Sequence, residues 1–310
     1  MTIRIATFYK FFPFPGYKTH RQALAQHFCN LGIKGSVLIA EEGLNGTIAG
    51  SPVAVETALE TLRALPGAEG LEAKFSEAAV MPFLRLKVRL KREIVSMGVP
   101  GTDPTALVGT YVQPEDWNAL ISDPDTILID TRNGYEVAIG TFEGAIDPQT
   151  ERFRDFPAWF RSFRARLNAE GRTPRIAMFC TGGIRCEKAT SFVKAEGVEE
   201  VFHLQGGILK YLETVPEPET KWRGECYVFD ERVCVRHDLT PGDHVLCHAC
   251  GRPVSPGDRQ SADYVEGISC PACIYEMSAS QRARFGERQR QIELARTRGQ
   301  KHLAARVEDA

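Results

Sequence analysis

No run of about eighteen apolar residues occurs anywhere in the chain, so no single segment has the composition of a membrane-crossing helix. A basic stretch followed by an apolar core and a small-residue cleavage site is also missing at the N-terminus, and a cytoplasmic protein with no membrane partner is the expectation. Neither sign of charge is in excess: 38 Lys and Arg stand against 40 Asp and Glu, a formal net charge of -2 that gives no global reason to expect nucleic acid. A disulfide framework is disfavoured by nine cysteines, an odd number that includes two CxxC pairs, and a reducing compartment fits better. There is no flavin or dinucleotide fingerprint, no haem cysteine pair and no facial metal triad.

What is present suits two or three soluble domains, since 310 residues exceed one ordinary core. Charge is unevenly spread. Residues 1–108 hold 12 Lys and Arg against 9 Asp and Glu, residues 109–225 hold 14 against 19, and residues 226–310 hold 12 against 12, so only the middle is acidic.

The stretch Met178-Phe179-Cys180-Thr181-Gly182-Gly183-Ile184-Arg185-Cys186 organises the rest. Residues 175–179 are short and apolar like a buried strand, and residues 186–196 lack Gly and Pro and read as a helix, which puts Cys180 at a strand-to-helix corner. Gly182 and Gly183 let the backbone turn its N–H groups inward, so that Thr181 to Ile184, the helix N-terminus and Arg185 can face the sulfur. Such a cradle favours a thiolate, a persulfide or a bound anion. Asp130-Thr131-Arg132-Asn133 ends another apolar strand, and functional groups collect at strand carboxyl ends in open parallel sheets. Asp130 reads as a brace of the loop, while Arg132 and Asn133 either brace it or meet substrate. Cys186 either packs as a helix residue or resolves an oxidised Cys180.

Residues 1–100 read as strand, helix (19–31), strand–turn–strand (35–49, with Glu42 to Gly46 as the turn), helix (52–65, capped by Ser51) and a last strand over 83–94. Two helices among antiparallel strands suggest a ferredoxin-like α+β domain. In the last strand Leu84, Leu86, Val88 and Leu90 alternate with Arg85, Lys87, Arg89 and Lys91. The basic row is either a solvated face or, with charges ~7 Å apart, a platform for phosphates. Phe8, Tyr9, Phe11, Phe12 and Phe14 belong mostly to the core, with one or two able to stack on bases. After a Pro- and Gly-containing linker, residues 109–225 alternate strand and helix as an α/β domain with a parallel sheet.

Beyond residue 225 come Cys247-His248-Ala249-Cys250, nineteen intervening residues and Cys270-Pro271-Ala272-Cys273. Two CxxC knuckles at that separation match a structural zinc site with four cysteine ligands over residues 226–280, with redox pairs or metal-free thiols as the competing readings. Cys29, within the first helix, reads as core. The tail, residues 281–310, reads as a basic helix: Phe285, Ile292 and Leu303 form one stripe, and Arg282, Arg284, Arg288 and Arg290 lie among the other positions. It is either solvated or an arm for RNA phosphates.

The order Asp130-Thr131-Arg132, Cys180 to Arg185 and Leu204-Gln205-Gly206-Gly207-Ile208 resembles a rhodanese domain with its active loop. Together with residues 39–50, the segments 130–136 and 180–188 resemble the oxygen-dependent tRNA uridine hydroxylase family over nearly the whole chain. The resemblance implies tRNA as partner through its anticodon loop, hydroxylation of the wobble uridine at C5, molecular oxygen as co-substrate, an electron donor the residues do not name, and Cys180 as the essential cysteine, able to carry a persulfide. Two other classes stay open on the loop alone. A sulfurtransferase would pass a Cys180 persulfide to a thiol or protein acceptor and needs no basic strand or tail. A phosphatase ranks last, because the loop between Cys180 and Arg185 is one residue shorter than phosphatase loops of this shape.

Overall fold

A computed structural model describes residues 2–230 and 232–299. It divides into two units, Met1–Tyr227 with Arg236–Thr240, and Val228–Val235 with Pro241–Ala310.

The first unit begins with a five-stranded sheet. Strand β1 (Ile3–Phe11) buries Ile5, Ala6, Phe8 and Phe11, and α1 (Tyr17–Asn30) sets Leu24 and Phe28 into the same core. Strands β2 (Lys34–Ala40) and β3 (Gly43–Gly50) form a hairpin joined only by Glu41 and Glu42. Gly43 to Gly46, expected as the turn, are therefore strand. Their glycines serve close approach: a Cβ on Gly43, at φ 134, would lie 2.0 Å from the Lys10 carbonyl oxygen of β1. Ser51 caps α2 (Pro52–Arg63) by accepting the Ala54 N–H at 3.2 Å.

Strands β4 (Ala73–Ala78) and β5 (Leu86–Leu90) complete the order β4-β1-β3-β2-β5. The ferredoxin-like arrangement holds, but its fourth strand is β4, which carries no apolar alternation to announce it. The expected last strand is shorter than its pattern, lies at the sheet edge, and runs parallel to β2. Of its apolar row only Val88 is deeply buried, while Leu84 and Leu90 are exposed. Phe8, Phe11, Phe12 and Phe14 are all buried, so none is free to stack on a base. Cys29 is exposed on α1, because its position falls off the stripe that Leu24 and Phe28 define.

A second sheet follows, built from β6 (Thr110–Val112), β7 (Thr126–Asp130), β9 (Arg175–Phe179) and β10 (Val201–Leu204), all parallel in the order β6-β10-β9-β7. Short β8 (Gly140–Phe142) pairs instead with β11 (Trp222–Gly224). The helices are α3 (Pro114–Ser122), α4 (Gly134–Val137), α5 (Phe156–Ala169), α6 (Ile184–Ala195) and α7 (Gly207–Thr214). Central strand β9 buries Ile176 to Phe179 entirely, as a parallel strand covered on both faces must. The two sheets do not hang apart on a free linker. Met97 is buried in the core of the second sheet, and Lys188 of α6, itself 2% exposed, meets Glu42 at 2.8 Å and Glu93 at 2.9 Å from the first.

In the second unit a short hairpin of Val245–Leu246 and Pro253–Val254 carries the first cysteine knuckle. Helix α8 (Ala279–Thr297) starts at a Ser278–Gln281 capping box. It shows Phe285 and Ile292 half-buried, and Leu303, the third member of the expected stripe, lies outside the described residues. Among the described residues no helix is long and apolar enough to cross a membrane.

Candidate active site

Cys180 follows directly on β9, at the carboxyl edge of the parallel sheet, with no exposed surface. The Gly183 N–H donates to its Sγ at 3.1 Å. Gly183 can do so because it sits at φ 105, a conformation open to glycine, and a Cβ there would fall 2.6 Å from the Tyr9 hydroxyl. Burial opposes ionisation of Cys180. The Cys186 thiol, the Arg185 charge and the N–H groups of Cys186 and Gly183 outweigh it and hold the thiol below its ordinary range. Cys186 moves the other way, raised by burial and by the neighbouring Cys180, so it stays protonated and serves as a donor. Its sulfur also lies 3.6 Å from the Thr131 hydroxyl.

Arg185 does not act on the sulfur alone. Its guanidinium makes a two-pronged pair with Glu136, at 2.6 and 2.7 Å, and donates to the Thr181 hydroxyl at 3.2 Å. Sequence patterns do not single out Glu136 as part of the site, although Asn133 and Glu136 carry the spacing of a capping box. At the start of α4 the Asn133 N–H donates to the Glu136 carboxylate at 3.2 Å. Burial would raise the Glu136 carboxyl, but Arg185, then Arg132 and the Asn133 N–H, hold it below the usual carboxylate range. A carboxylate depressed in the fold contributes stability above its unfolded pKa and loses it as pH falls through the folded value. Glu136→Ala should therefore destabilise the first unit by about 3–5 kcal/mol near neutral pH, because it strands a buried guanidinium. Glu136→Gln should cost less, and the gap between wild type and either variant should narrow in acid, as read by thermal unfolding across pH.

Asp130 and Arg132 have no exposed side-chain surface and grip each other at 2.6 and 2.9 Å. Arg132 also donates to the carbonyls of Glu136 and Gly140, and Asp130 accepts from the Thr141 hydroxyl. These bonds tie β7 to α4 and β8 and brace the loop.

The first sheet contributes groups whose place beside Cys180 no sequence pattern signals. Tyr9 of β1 donates to the Glu187 carboxylate at 2.8 Å. Glu187 is raised by burial and by Cys180, against the opposing hydrogen bonds from Tyr9 and Tyr111. Lys74 of β4 donates to the Gly182 carbonyl at 2.7 Å and the Gly206 carbonyl at 2.5 Å. These residues lie far apart in the chain and meet only through tertiary packing.

In the second unit the Sγ atoms of Cys247, Cys250, Cys270 and Cys273 all lie within 4.8 Å of one another. Separations of 3.9 Å for Cys247–Cys273, 3.8 Å for Cys250–Cys270 and 3.6 Å for Cys270–Cys273 fit the tetrahedron edge of about 3.8 Å that follows from a Zn–S distance of about 2.3 Å. This cluster can hold a metal such as zinc. Of the basic candidates, Arg85, Arg89 and Lys91 are exposed and Lys87 is half-buried at the β5 edge. On α8, Arg282 and Arg284 are exposed, whereas Arg288 donates to the His248 and Gly267 carbonyls and Arg290 pairs with Glu287.

Residues 3–94 match the family model described as UPF0176 acylphosphatase like domain, and residues 113–214 match the Rhodanese-like domain. A tRNA uridine(34) hydroxylase of Gluconobacter oxydans (strain 621H) is 59% identical over 304 residues, covering 98% of this chain and 97% of its own. Proteins of that name from Caulobacter vibrioides (strain NA1000 / CB15N) and Agrobacterium fabrum (strain C58 / ATCC 33970) are 56% and 57% identical, covering 97% and 96% of this chain and 96% and 94% of their own.

Proposed function

Since the chain belongs to the tRNA uridine(34) hydroxylase family, we propose that it hydroxylates the wobble uridine of tRNA at C5 in the cytoplasm, with molecular oxygen as co-substrate and Cys180 as the reacting group. The observation that carries this reading is a buried cysteine whose Sγ accepts the Gly183 N–H at 3.1 Å and whose surroundings favour the thiolate. A thiolate that adds to C6 of uracil makes C5 electron-rich, and C5 then bonds to oxygen. One oxygen atom stays on C5, the other leaves as water with two electrons and two protons from an external donor, and loss of the C5 proton expels the thiolate. Cys180 as a persulfide is the other form of the same reacting group. The wobble base is already unpaired in its loop, so its extrusion costs little.

The test is mass spectrometry of tRNA nucleosides from cells lacking the protein, with and without the wild-type chain restored. Return of 5-hydroxyuridine on restoration supports the reading. Indifference of that nucleoside to the protein would leave persulfide transfer to a thiol or protein acceptor as the better account of the loop, and thiosulfate sulfur transfer would then measure it.

The four cysteines of the second unit are assigned to zinc. With sulfur in every position the metal has a structural role and offers no open site to oxygen. For tRNA, the exposed basic row of β5 together with Arg282 and Arg284 supplies the phosphate contacts. Replacing Arg85, Arg89 and Lys91 by alanine should weaken tRNA binding and reduce the slope of log affinity against log salt by about 1 for each cation removed from a phosphate. An unchanged slope, measured by filter binding over several salt concentrations, would remove β5 from the interface.

A further inference from the structure

The cysteine loop is held in shape by three outward-facing carbonyls in succession. Cys180 O accepts the Ile208 N–H at 2.9 Å and Thr181 O accepts the Leu209 N–H at 3.1 Å, both from the start of α7. Gly182 O, the third, accepts from Lys74 Nζ at 2.7 Å. Because a peptide's carbonyl and the following N–H point in opposite directions, fixing Gly182 O outward aims the Gly183 N–H inward, where it meets Cys180 Sγ. The same ammonium holds Gly206 O, in the turn that precedes α7. That turn nests against the loop so closely that a Cβ on Gly207 would lie 2.5 Å from Cys180 O and 2.8 Å from Gly183 N. Two of the three clasps therefore come from the parallel-sheet domain itself, and the last comes from β4 of the ferredoxin-like sheet.

We propose that Lys74 is a positioning residue for Cys180: by gripping the Gly182 and Gly206 carbonyls it keeps the Gly183 N–H on the sulfur and adds a positive charge beside the thiolate, so that the ferredoxin-like domain completes the active-site loop.

Lys74 is well placed to keep its charge while Cys180 ionises. Burial lowers its pKa to about 8, with Lys210 adding to that and Cys180, Glu187 and Glu72 opposing it. Cys180 in turn is faced by Arg185 and Cys186 of α6, with Glu187 beside them, by Tyr9 of β1 and by Lys74 of β4. Among these, Lys74 and Arg185 are the cations, and Arg185 is already paired to Glu136. Removing Lys74 therefore removes a charge as well as a clasp.

The test follows the thiolate ultraviolet absorbance of the full chain against pH, with the Cys180→Ser form of each variant subtracted so that the other cysteines cancel. Lys74→Met should raise the Cys180 midpoint by about one pH unit, and Lys74→Arg should return it most of the way. Lys74→Gln, which keeps a donor without the charge, should fall between them and serves as the second variant if Lys74→Met does not fold. A lower melting temperature with an unmoved midpoint in these variants would make Lys74 a structural tie only and overturn the proposal. This role rests on Cys180 being the reacting group of the proposed hydroxylase, yet the midpoint is read without tRNA or oxygen. An unmoved midpoint with 5-hydroxyuridine still formed sinks the positioning role alone. A shifted midpoint with no effect of the protein on 5-hydroxyuridine sinks the hydroxylase reading alone.

Discussion

Cys180→Ser should lower product formation by about three orders of magnitude or more while leaving the fold and tRNA affinity unchanged. The variant separates chemistry from architecture because the sulfur carries little of the packing by itself. Serine can still accept the Gly183 N–H that now reaches Sγ, and the Arg185–Glu136 pair, the Asp130–Arg132 brace and the Lys74 clasp all remain. What is lost is the ionisable nucleophile. A serine hydroxyl is not ionised by surroundings that suffice for a thiol, so neither thiolate addition nor a persulfide survives the change. For the same reason wild-type activity should decline toward acid pH as the thiolate takes up its proton, since its pKa lies below the ordinary thiol range. Single-turnover assays with saturating tRNA and oxygen would decide the matter, and hydroxylation retained in Cys180→Ser would remove Cys180 from the reaction.

The loop was legible because its chemistry is local. A cysteine, two glycines, an arginine and the helix start fall within a few residues, and the fold places them together as their spacing implies. The parallel sheet was legible for a related reason, since strands such as β9 are apolar throughout and alternate with helices. What sequence could not give is what arrives from elsewhere. Glu136, Glu187, Tyr9 and Lys74 are ordinary polar residues in their own segments and gain meaning only where β1, β4, α4 and α6 converge. Strand β4 shows the same limit at the level of the fold: Ala73, Lys74 and Ser76 are set by pairing with β1, while Phe75 stays exposed, so no period-2 signal marks the strand. The glycines of β3 misled in the opposite direction. Their composition reads as a turn, but close approach of β1 and β2 to Gly43 and Gly46 requires the missing side chains. For Arg132 the residue types leave bracing and binding open, and the structure adds its buried pair with Asp130.

Cys270→Ser should unfold the second unit, and so should a strong chelator acting on the wild type. Around the four cysteines apolar material is sparse: Cys247, Val254, Cys270 and Cys273 cluster together, with Val245, Ala249, Tyr264 and Met277 against them. All but Val254 among the buried members are the cysteines proposed above to hold zinc, so on that assignment this cluster depends on the metal for most of its stability. Thiolate coordination supplies on the order of 10 kcal/mol to small zinc modules at neutral pH, enough to make folding and metal binding one event. Loss of Cys270 also leaves Cys247 and Cys273, 3.9 Å apart, without the cation that allows thiolates to sit so close. The α8 helix should lose its seat in the same step, because Arg288 is anchored on the His248 and Gly267 carbonyls of the knuckle region. Limited proteolysis, with zinc content measured in parallel, gives the readout: cleavage confined to residues beyond 240, one equivalent of metal in the wild type and none in Cys270→Ser. Resistance to protease after complete removal of metal would show that the four cysteines hold the unit together without it.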